Sequence, residues 1–432
     1  MPLYQRPRGT LDILPDAAEK WRRLERFIAQ HSTLFGFGEI RTPIFEETEL
    51  FTRTSGASSD VVRKEMYTFT DRGGRSLTLR PEGTAGAGRA YLENGLASAP
   101  QPVKLWYLGP MFRYDRPQAG RYRQHTQYGI EIFGAASPLA DAEVILVAWG
   151  LLSKLGLARL AVHLNSIGCR DCRPAYRQRL VEYFGRHVGE LCDDCRDRYE
   201  ANPLRIFDCK NEHCRTLLAD APVSAESLCP DCRRHLERVK ELLAALDVRY
   251  TDDPYLVRGL DYYTRTVFEV VYQPSAARAA AQDVVCGGGR YDGLIEELGG
   301  ASTPGVGFGL GLERLLAILD GEGLVVPSVV DERPGLVFIG AIGPAAAVEG
   351  FRLAQQVRRA GYAAVNDLLE RSVKAQFKAA DRLGARFVVL VGEDELAAGV
   401  ATVRDLQSGE QRKVPLAEVA ASLAPAAVGL SN

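Results

Sequence analysis

Residues 104–134 read KLWYLGPMFRYDRPQAGRYRQHTQYGIEIFG. In a β-strand, side chains two residues apart lie on the same face of the sheet. Counted by two, this stretch predicts a β-hairpin with one mostly apolar face and one face of polar, charged and small residues. The second face is predicted to carry Tyr107, Gly109, Met111 and Arg113 before the turn, and Arg121, Arg123, His125, Gln127, Gly129 and Glu131 after it.

The turn of this hairpin is predicted at residues 115–120, which contain Pro117 and Gly120 and are therefore typical of a loop. Arg116 makes the turn basic. A sheet face with arginines near its tip and Gln127 and Glu131 deeper in suits an anionic group outside and a polar ligand inside. The alternative is an ordinary solvated sheet face, which is common for a single hairpin.

Five further segments, taken together with the hairpin, resemble one known family. They are RGTLDILP (8–15), LRPEGT (79–84), LVRGLDYYTRTVFE (256–269), CGGGRYDGL (286–294) and GVGFGLGLERLL (305–316). In this order they resemble the motifs of the class II aminoacyl-tRNA synthetases, and the hairpin and LVRGLDYYTRT are similar to those of the histidyl-tRNA synthetase family. The resemblance implies that histidine is activated by ATP to histidyl-adenylate and is then transferred to the 3′ end of histidine tRNA.

The resemblance implies an α+β catalytic domain built on an antiparallel sheet with flanking helices. We expect it over residues 1–330, interrupted at 169–250 by a mainly helical insertion. Residues 331–432 alternate between strand and helix patterns and are expected to form a C-terminal α/β domain, which in this family binds the anticodon. A predicted helix at 17–35 corresponds to the family's dimer interface, so we expect a homodimer. Residues 50–64 are polar and are predicted to be a loop.

The overall composition restricts the class of protein less than the motifs do. The chain has 432 residues, of which 46% are hydrophobic and 25% charged, as is ordinary for a globular protein of two or three domains. Because its formal net charge is −2, any contact with RNA depends on local basic patches. The sequence shows no signal peptide and no run of about 18 apolar residues, so we expect a cytoplasmic protein without a membrane segment.

The resemblance also implies which residues bind histidine. The expected set is Glu82, Gly83, Thr84, Arg113, Gln127, Glu131, Arg258, Tyr262 and Tyr263. Simpler interpretations exist for several of them. Glu82 and Thr84 also suit the first turn of a helix, as capping residues, and the two tyrosines also suit a protein core.

The reaction needs no nucleophilic side chain, because the carboxylate of histidine itself attacks the α-phosphate of ATP. The resemblance implies Arg113 and Arg258 as the catalytic residues, since guanidinium groups bind phosphate and carboxylate oxygens well. ATP and Mg²⁺, entering as a complex, are expected to contact Arg113, Arg121, Arg258 and Arg314. The alternative role of Arg258 is a salt bridge with the neighbouring Asp261.

Two further features extend the predicted site. Glycines at every second position predict a flat strand face on which an adenine ring can lie; they are Gly305, Gly307, Gly309 and Gly311. The resemblance implies that Arg116 and Gln118, at the hairpin tip, contact the acceptor end of the tRNA.

The chain has nine cysteines, and eight of them fall between Cys169 and Cys232. Several have the C-x-x-C spacing that is typical of zinc ligands. The spacing suggests one structural Zn²⁺, for which Cys192, Cys195, Cys229 and Cys232 are the best quartet. The alternative is that these thiols pack as small apolar side chains, and the resemblance implies an activity that needs no zinc.

Two other classes of protein fit part of the sequence. One is a catalytically silent paralogue that senses histidine; such paralogues generally lack the C-terminal domain and lose motif residues, whereas this chain keeps Arg113, Arg258 and Arg314. The other is a zinc-stabilised RNA-binding module, which explains the cysteines but not the complete set of motifs. Histidine-dependent exchange of pyrophosphate into ATP distinguishes the enzyme from both.

Overall fold

A computed structural model describes residues 4–56, 59–115, 122–274, 283–328 and 333–423. The chain divides into two compact units. The first contains the chain up to Trp21 together with Glu39–Val326, and the second contains Arg22–Gly38 together with the chain from Pro327 onward.

The strands of the described residues form three sheets. In chain order they are β1 (Gly38–Glu39), β2 (Phe45–Glu47), β3 (Tyr67–Thr70), β4 (Ser76–Leu79), β5 (Val103–Phe112), β6 (Gln124–Phe133), β7 (Leu160–Ser166), β8 (Tyr250–Asp252), β9 (Thr264–Tyr272), β10 (Asp283–Arg290), β11 (Gly305–Gly311), β12 (Arg333–Ala341), β13 (Tyr362–Asn366), β14 (Ala385–Val391), β15 (Val400–Asp405) and β16 (Gln411–Pro415).

The α-helices flank these sheets. In chain order they are α1 (Pro15–Leu34), α2 (Thr48–Ser55), α3 (Thr84–Glu93), α4 (Pro138–Lys154), α5 (Arg173–Gly185), α6 (Asp193–Ala201), α7 (Glu212–Leu217), α8 (Pro230–Ala245), α9 (Leu294–Glu297), α10 (Leu312–Glu322), α11 (Pro344–Arg359), α12 (Val373–Arg382), α13 (Glu393–Ala397) and α14 (Val419–Ser422). Among the helices of the described ranges, none is both long enough and apolar enough to cross a bilayer.

The largest sheet belongs to the first unit and has the strand order β1-β5-β6-β11-β10-β9-β7-β8. In this order, each pair of neighbours in the run β5-β6-β11-β10-β9-β7 is antiparallel, and β8 pairs parallel with β7. The predicted hairpin is confirmed as β5 and β6, in which Tyr107 lies opposite Gly129 and Gly109 lies opposite Gln127. This register places the predicted polar residues on one face of the sheet, because paired residues point to the same side.

The predicted fold class is confirmed. The first unit is an antiparallel sheet with flanking helices, and helices α5 to α8 form a mainly helical insertion between β7 and β8. The second unit is an α/β structure whose strand order is β13-β12-β14-β15-β16, with β12 parallel to both of its neighbours.

The last part of α1 packs within the second unit. Arg358, on α11, donates from Nε to the carbonyl of Leu34 at 3.2 Å and to that of Ala364 at 3.1 Å. Its guanidinium carbon lies 3.8 Å from the centre of the Phe35 ring. A buried arginine therefore ties the end of α1 to α11 and β13.

The prediction of a loop at residues 50–64 is wrong. Most of this segment lies in α2 and in a π-helical turn, Val61–Glu65. Phe51, Thr54 and Val61 are buried, and the Thr54 hydroxyl donates to the carbonyl of Leu50 at 2.8 Å. Hydroxyl side chains can bond to the preceding helical turn in this way, so a polar composition did not indicate a loop here.

A fully buried salt bridge joins the sheet to two helices. Arg290, at the end of β10, donates to both carboxylate oxygens of Asp141 on α4 through Nε at 3.2 Å. Its Nη1 also donates to the carbonyl of Ala135 at 2.9 Å. His235, from α8 of the insertion, lies 3.1 Å from Asp141 Oδ2. Burial opposes the charge on Asp141, but Arg290 and His235 outweigh it and hold the pKa of this carboxyl below its usual range.

We expect Asp141→Asn to lower the free energy of unfolding at pH 7 by about 3 to 5 kcal/mol, because it leaves Arg290 buried without a counter-charge. The stabilisation from a carboxylate with a lowered pKa is present above the unfolded-state pKa of about 3.9 and is lost as the pH falls further. The difference between the two proteins should therefore shrink below about pH 4. Urea unfolding curves followed by tryptophan fluorescence measure it.

Glu296→Gln is the matched control, because Glu296 forms an exposed ion pair with Arg170 at 2.7 Å. Removal of an exposed pair should change the unfolding free energy by less than about 1 kcal/mol. Equal effects of the two substitutions would contradict the importance of the buried salt bridge.

Candidate active site

A cavity of about 1020 Å³ lies over the polar face of the large sheet. Hairpin β5–β6, strands β9 to β11, the start of α10 and part of the insertion contribute to its wall. Many of the predicted site residues line it together: Glu82, Thr84, Arg113, Gln127, Arg258, Tyr262, Tyr263 and Arg314. Arg116, Gln118 and Arg121 were also predicted for the site and lie outside the described residues.

Glu131 is fully buried next to this cavity. Its Oε1 accepts hydrogen bonds from the hydroxyls of Thr84 at 2.8 Å and Tyr107 at 3.0 Å, and its Oε2 accepts one from Tyr291. Burial raises the pKa of Glu131 to about 8, against the opposing effect of these hydrogen bonds, and Glu82 adds to the increase. This carboxyl group therefore changes its charge near neutral pH, and its protonation can respond to a bound ligand.

The glycines of β11 have a role that the sequence did not predict. A side chain at Gly307 would overlap Glu131, one at Gly309 would overlap Gln127, and one at Gly305 would overlap Tyr291. These three glycines make room for side chains of the site. Gly307, Gly309 and Gly311 also line the cavity, so the binding of an adenine ring on this face stays a prediction. A Cβ at Gly311 would face open space.

Glu82 caps the helix that follows it. Its Oε2 accepts from the backbone N–H of Thr84 at 2.6 Å and its Oε1 from that of Ala85 at 2.9 Å. The structure therefore contains the capping interaction that was one alternative for Glu82. Glu82 also lines the cavity, and burial raises its pKa. The helix-capping role of Glu82 is therefore compatible with a place in the site. Gly83 lies under the Tyr107 ring, which a side chain there would overlap.

Three tyrosines form one wall beside Glu131. The ring centres of Tyr262 and Tyr263 are 4.7 Å apart, and those of Tyr262 and Tyr291 are 5.5 Å apart. Tyr262 and Tyr263 are almost fully buried, as the core interpretation predicts, but both also border the cavity. Burial raises the pKa of each phenol, so all three tyrosines remain neutral hydrogen-bonding groups.

Arg258 precedes β9 and forms an ion pair with Glu269 of that strand. The alternative prediction, a salt bridge between Arg258 and Asp261, is wrong. Asp261 Oδ1 instead accepts a hydrogen bond from Asn202 Nδ2 at 2.9 Å. Asp261 is only three residues from Arg258 in the sequence, but the chain continues into β9, and this strand places Glu269, eleven residues after Arg258, beside its guanidinium. The guanidinium of Arg258 lies over Gly287, where a side chain would overlap it.

The electrostatic surroundings keep Arg258 charged. Burial lowers its pKa, but Tyr263, Glu269 and Asp208 outweigh burial and raise the pKa above its usual value. Its buried Nε has no hydrogen-bond partner among the described residues. Arg258 thus lines the cavity and retains one donor that the described protein atoms do not use.

The other two described arginines of the site are held by backbone carbonyl groups. Arg113 Nε donates to Pro81 at 2.7 Å, and Arg314 Nη1 donates to Val284 at 2.8 Å. Each side chain is thereby oriented in the wall of the cavity.

Several residues of the site were missed in the sequence. Tyr107 was predicted on the same face of the hairpin as Glu131, and this shared face could have identified it as a residue of the site. Glu269 and Tyr291 lie within the motifs at 256–269 and 286–294, but the neighbouring sequence does not indicate which residues they contact. The insertion also contributes Arg205, whose Nη1 donates to the carbonyl of Arg258 at 2.6 Å, and only the folded chain reveals this contact.

The cysteines form two quartets, so the predicted quartet of Cys192, Cys195, Cys229 and Cys232 is wrong. The outer quartet contains Cys169, Cys172, Cys229 and Cys232, and the inner quartet contains Cys192, Cys195, Cys209 and Cys214. Within each, the sulfur atoms all lie within 4.8 Å of one another. Spacing identified the pairs correctly but not which pairs meet.

Comparisons with known proteins agree with this architecture. The sequence profile described as histidyl-tRNA synthetase matches residues 9–172 and 198–315, and that of an anticodon-binding domain matches residues 337–424. A histidine–tRNA ligase of Desulforamulus reducens is 55% identical over 417 residues, which are 96% of this chain and 98% of that protein. One from Pelotomaculum thermopropionicum is 52% identical over 414 residues, or 96% of each chain.

A solved structure gives the same result. The apo histidyl-tRNA synthetase of S. aureus is 39% identical, with a TM-score of 0.62, over 97% of this chain and 99% of that one. The profile covers more than half of the chain, and the relatives match it over nearly their full length. The chain therefore belongs to the histidyl-tRNA synthetase family, a family of aminoacyl-tRNA ligases.

Proposed function

We propose that the cavity over the large sheet binds histidine and ATP, forms histidyl-adenylate with release of pyrophosphate, and then transfers the histidyl group to the 3′ end of histidine tRNA. The observation that carries this proposal is the pairing of a buried carboxyl group, Glu131, with a cavity wall that contains three oriented arginines, Arg113, Arg258 and Arg314. The buried carboxyl group suits a polar side chain of the substrate, and the arginines suit phosphate oxygens.

Histidine is proposed to place its imidazole near Glu131, between Gln127 and the wall of Tyr262 and Tyr263. A site with buried polar groups discriminates strongly, because a ligand without matching groups leaves them unpaired. Glu82 and Thr84, at the start of α3, suit the ammonium group of histidine, since Glu82 supplies the negative charge there.

Arg113 and Arg258 are proposed to hold the carboxylate of histidine and the α-phosphate of ATP in line for attack. The carboxylate oxygen attacks phosphorus, the new C–O–P linkage forms, and the bond to pyrophosphate breaks. The protein acts by positioning and by neutralising charge, which are the main requirements for phosphoryl-group chemistry. Arg121 and Arg314 are proposed to bind the other phosphates or the base of ATP.

Mg²⁺ is proposed to enter with ATP, where it neutralises phosphate charge. Glu313, beside Arg314, fits such an ion: its Oε1 accepts from the backbone N–H of Thr126 at 2.7 Å, and its buried Oε2 has no hydrogen-bond partner among the described residues. A carboxylate oxygen is the type of ligand that Mg²⁺ prefers.

The remaining partners follow from the same proposal. Residues 337–424 are proposed to bind the anticodon, and the protein is proposed to act as a homodimer in the cytoplasm, where charged tRNA is used. We also propose Zn²⁺ as a structural ion of the insertion, outside the reaction itself. Histidine-dependent exchange of labelled pyrophosphate into ATP tests the central claim; a silent histidine sensor would bind histidine without exchange.

We expect the KM for histidine in pyrophosphate exchange to fall about tenfold between pH 6.5 and pH 8.5, because Glu131 ionises in this range while the imidazole of histidine, whose pKa is about 6.5, becomes neutral. Glu131, with a pKa of about 8, is protonated at the lower end and ionised at the higher end. If an imidazole N–H donates to the carboxylate, binding requires loss of this proton and improves as the pH rises. Glu131→Gln should give a KM that is higher and nearly independent of pH, while KM for ATP changes little. The same pH dependence of the KM for histidine in the parent protein and in Glu131→Gln would contradict this role.

Arg258→Ala should slow single-turnover adenylate formation by about 100- to 1000-fold, because it removes a charge that stabilises the transition state. The substitution also leaves Glu269 without its ion-pair partner. The double variant Arg258→Ala with Glu269→Gln removes that unpaired charge and should regain thermal stability without regaining rate. Stopped reactions under single-turnover conditions and thermal melts measure the two effects. A double variant within about threefold of the parent rate, or about 0.7 kcal/mol, would show that Arg258 is structural.

Arg116→Ala should leave pyrophosphate exchange unchanged and slow the transfer of histidine to tRNA. In the sequence, Arg116 falls between the end of β5 and the start of β6, and the family resemblance assigns this turn to the acceptor end of the tRNA and not to ATP. Exchange and aminoacylation assays on the same preparation separate the two steps, with Gln118→Ala as a second variant of the tip. Equal losses in both assays would assign Arg116 to the ATP site.

A further inference from the structure

We propose that the two cysteine quartets are separate Zn²⁺ sites with different roles. The outer quartet (Cys169, Cys172, Cys229 and Cys232) joins the ends of the helical insertion, and the inner quartet (Cys192, Cys195, Cys209 and Cys214) positions Arg258 for adenylate formation. The second role rests on the proposed function of Arg258.

The spacing of the sulfur atoms matches a tetrahedral metal site. With Zn–S distances of about 2.3 Å, tetrahedral geometry places the sulfur atoms about 3.8 Å apart. In the outer quartet, Cys169 and Cys172 are 3.6 Å apart, Cys169 and Cys229 are 3.9 Å apart, and Cys172 and Cys232 are 3.8 Å apart. In the inner quartet, Cys192 and Cys209 are 3.8 Å apart. A disulfide would require about 2.05 Å, and all nine cysteines are free thiols.

The backbone around the sulfur atoms also suits thiolates. The N–H of Cys169 donates to the sulfur of Cys172 at 3.1 Å, and that of Cys192 donates to the sulfur of Cys214 at 3.3 Å. Cys192 and Cys229 immediately precede α6 and α8, whose N-termini favour negative charge. Simple apolar packing requires neither these donors nor four sulfur atoms at mutual contact, so metal binding explains more of the geometry.

The inner quartet is directly connected to the active site. Cys192 and Cys209 line the cavity, and the 3₁₀-helix Pro203–Asp208 ends immediately before Cys209. Within this turn, Arg205 donates to the carbonyl of Arg258 at 2.6 Å and forms an ion pair with Asp208 at 2.5 Å.

A second contact fixes the other side of the Arg258 loop. Asn202 donates to Asp261 at 2.9 Å. The segment that carries Asn202 and Arg205 lies between Cys195 and Cys209, so a metal ion at the inner quartet holds both of its ends. The inner site thereby fixes the backbone of Arg258.

The outer quartet lacks this connection. None of its four cysteines, all of which are described, belongs to the cavity wall. Cys172 immediately precedes α5 and Cys232 lies in the first turn of α8. A metal ion there holds α5 to α8, which stabilises the insertion without direct contact with the loop of Arg258.

Metal content of the untagged full-length protein tests the sites themselves. Two Zn²⁺ per chain are expected, and Co²⁺ replacement should give the strong thiolate-to-metal absorption of a tetrahedral Co²⁺ site. The double variants Cys195→Ser/Cys214→Ser and Cys172→Ser/Cys232→Ser should each bind one ion, and Cys286→Ser should still bind two. Less than about 0.1 ion per chain in the parent protein would overturn the proposal.

Adenylate formation tests the positioning role. The inner double variant should lose about 10- to 100-fold in the single-turnover rate with little change in histidine binding, as expected for a misplaced catalytic group. The outer double variant is the matched control, since it also loses two buried thiols; it should stay within about threefold of the parent. Equal losses in the two variants would overturn the difference in roles.

Combination with Arg258→Ala separates positioning from general damage to the fold. If the inner quartet acts through Arg258, removing it from Arg258→Ala protein should cause no further loss of rate, because coupled residues are not additive. A further loss equal to that in the parent background would overturn the coupling. If Arg258→Ala itself has no effect, the proposed function of Arg258 fails, and the metal-content experiment still decides whether the sites exist.

Discussion

The buried carboxyl group of Glu131 is the constraint on which the arrangement of the first unit depends. A carboxyl group without solvent needs hydrogen-bond donors, and its three donors, Thr84, Tyr107 and Tyr291, come from α3, β5 and the residue after β10. The neighbouring strand β11 has to leave room for the group, which explains Gly307. One side chain therefore fixes the register of β6 with β11 and the position of a helix over the sheet.

Two arginines of the first unit differ in how fully the described protein atoms use their hydrogen-bond donors. Arg290 donates to Asp141, Asp292 and backbone carbonyls, and its side chain is completely enclosed. Arg258 has a carboxylate partner as well, but it borders the cavity and its Nε has no partner among the described residues. The first arginine uses its donors to hold the fold together, whereas the second borders the cavity and has one donor that the described protein atoms do not use.

The sequence was informative where a periodic pattern determines structure. Alternation in residues 104–134 predicted hairpin β5–β6 and the face that carries Gln127 and Glu131, and the motifs predicted the fold class. Pairing between distant segments was not predictable, because local spacing contains no information about it. Glu269 reaches Arg258 through the path of β9, and the cysteine pairs meet through the packing of the insertion. The close approach of Glu131, Gln127 and Tyr291 to the glycines of β11 was not predictable for the same reason, since these side chains come from other elements.

The connectivity of the two cysteine quartets has a consequence for how the insertion folds. Cys192 and Cys209, in the inner quartet, are 17 residues apart, whereas Cys169 and Cys229, in the outer quartet, are 60 apart. The inner closure is nested within the outer one. Chain closure costs more entropy for longer loops, here by about 1 kcal/mol, and prior formation of the inner loop shortens the effective length of the outer one. From this nesting we expect the insertion to assemble from its centre outward, so that the segment beside the active site acquires its shape before α5 and α8 are joined.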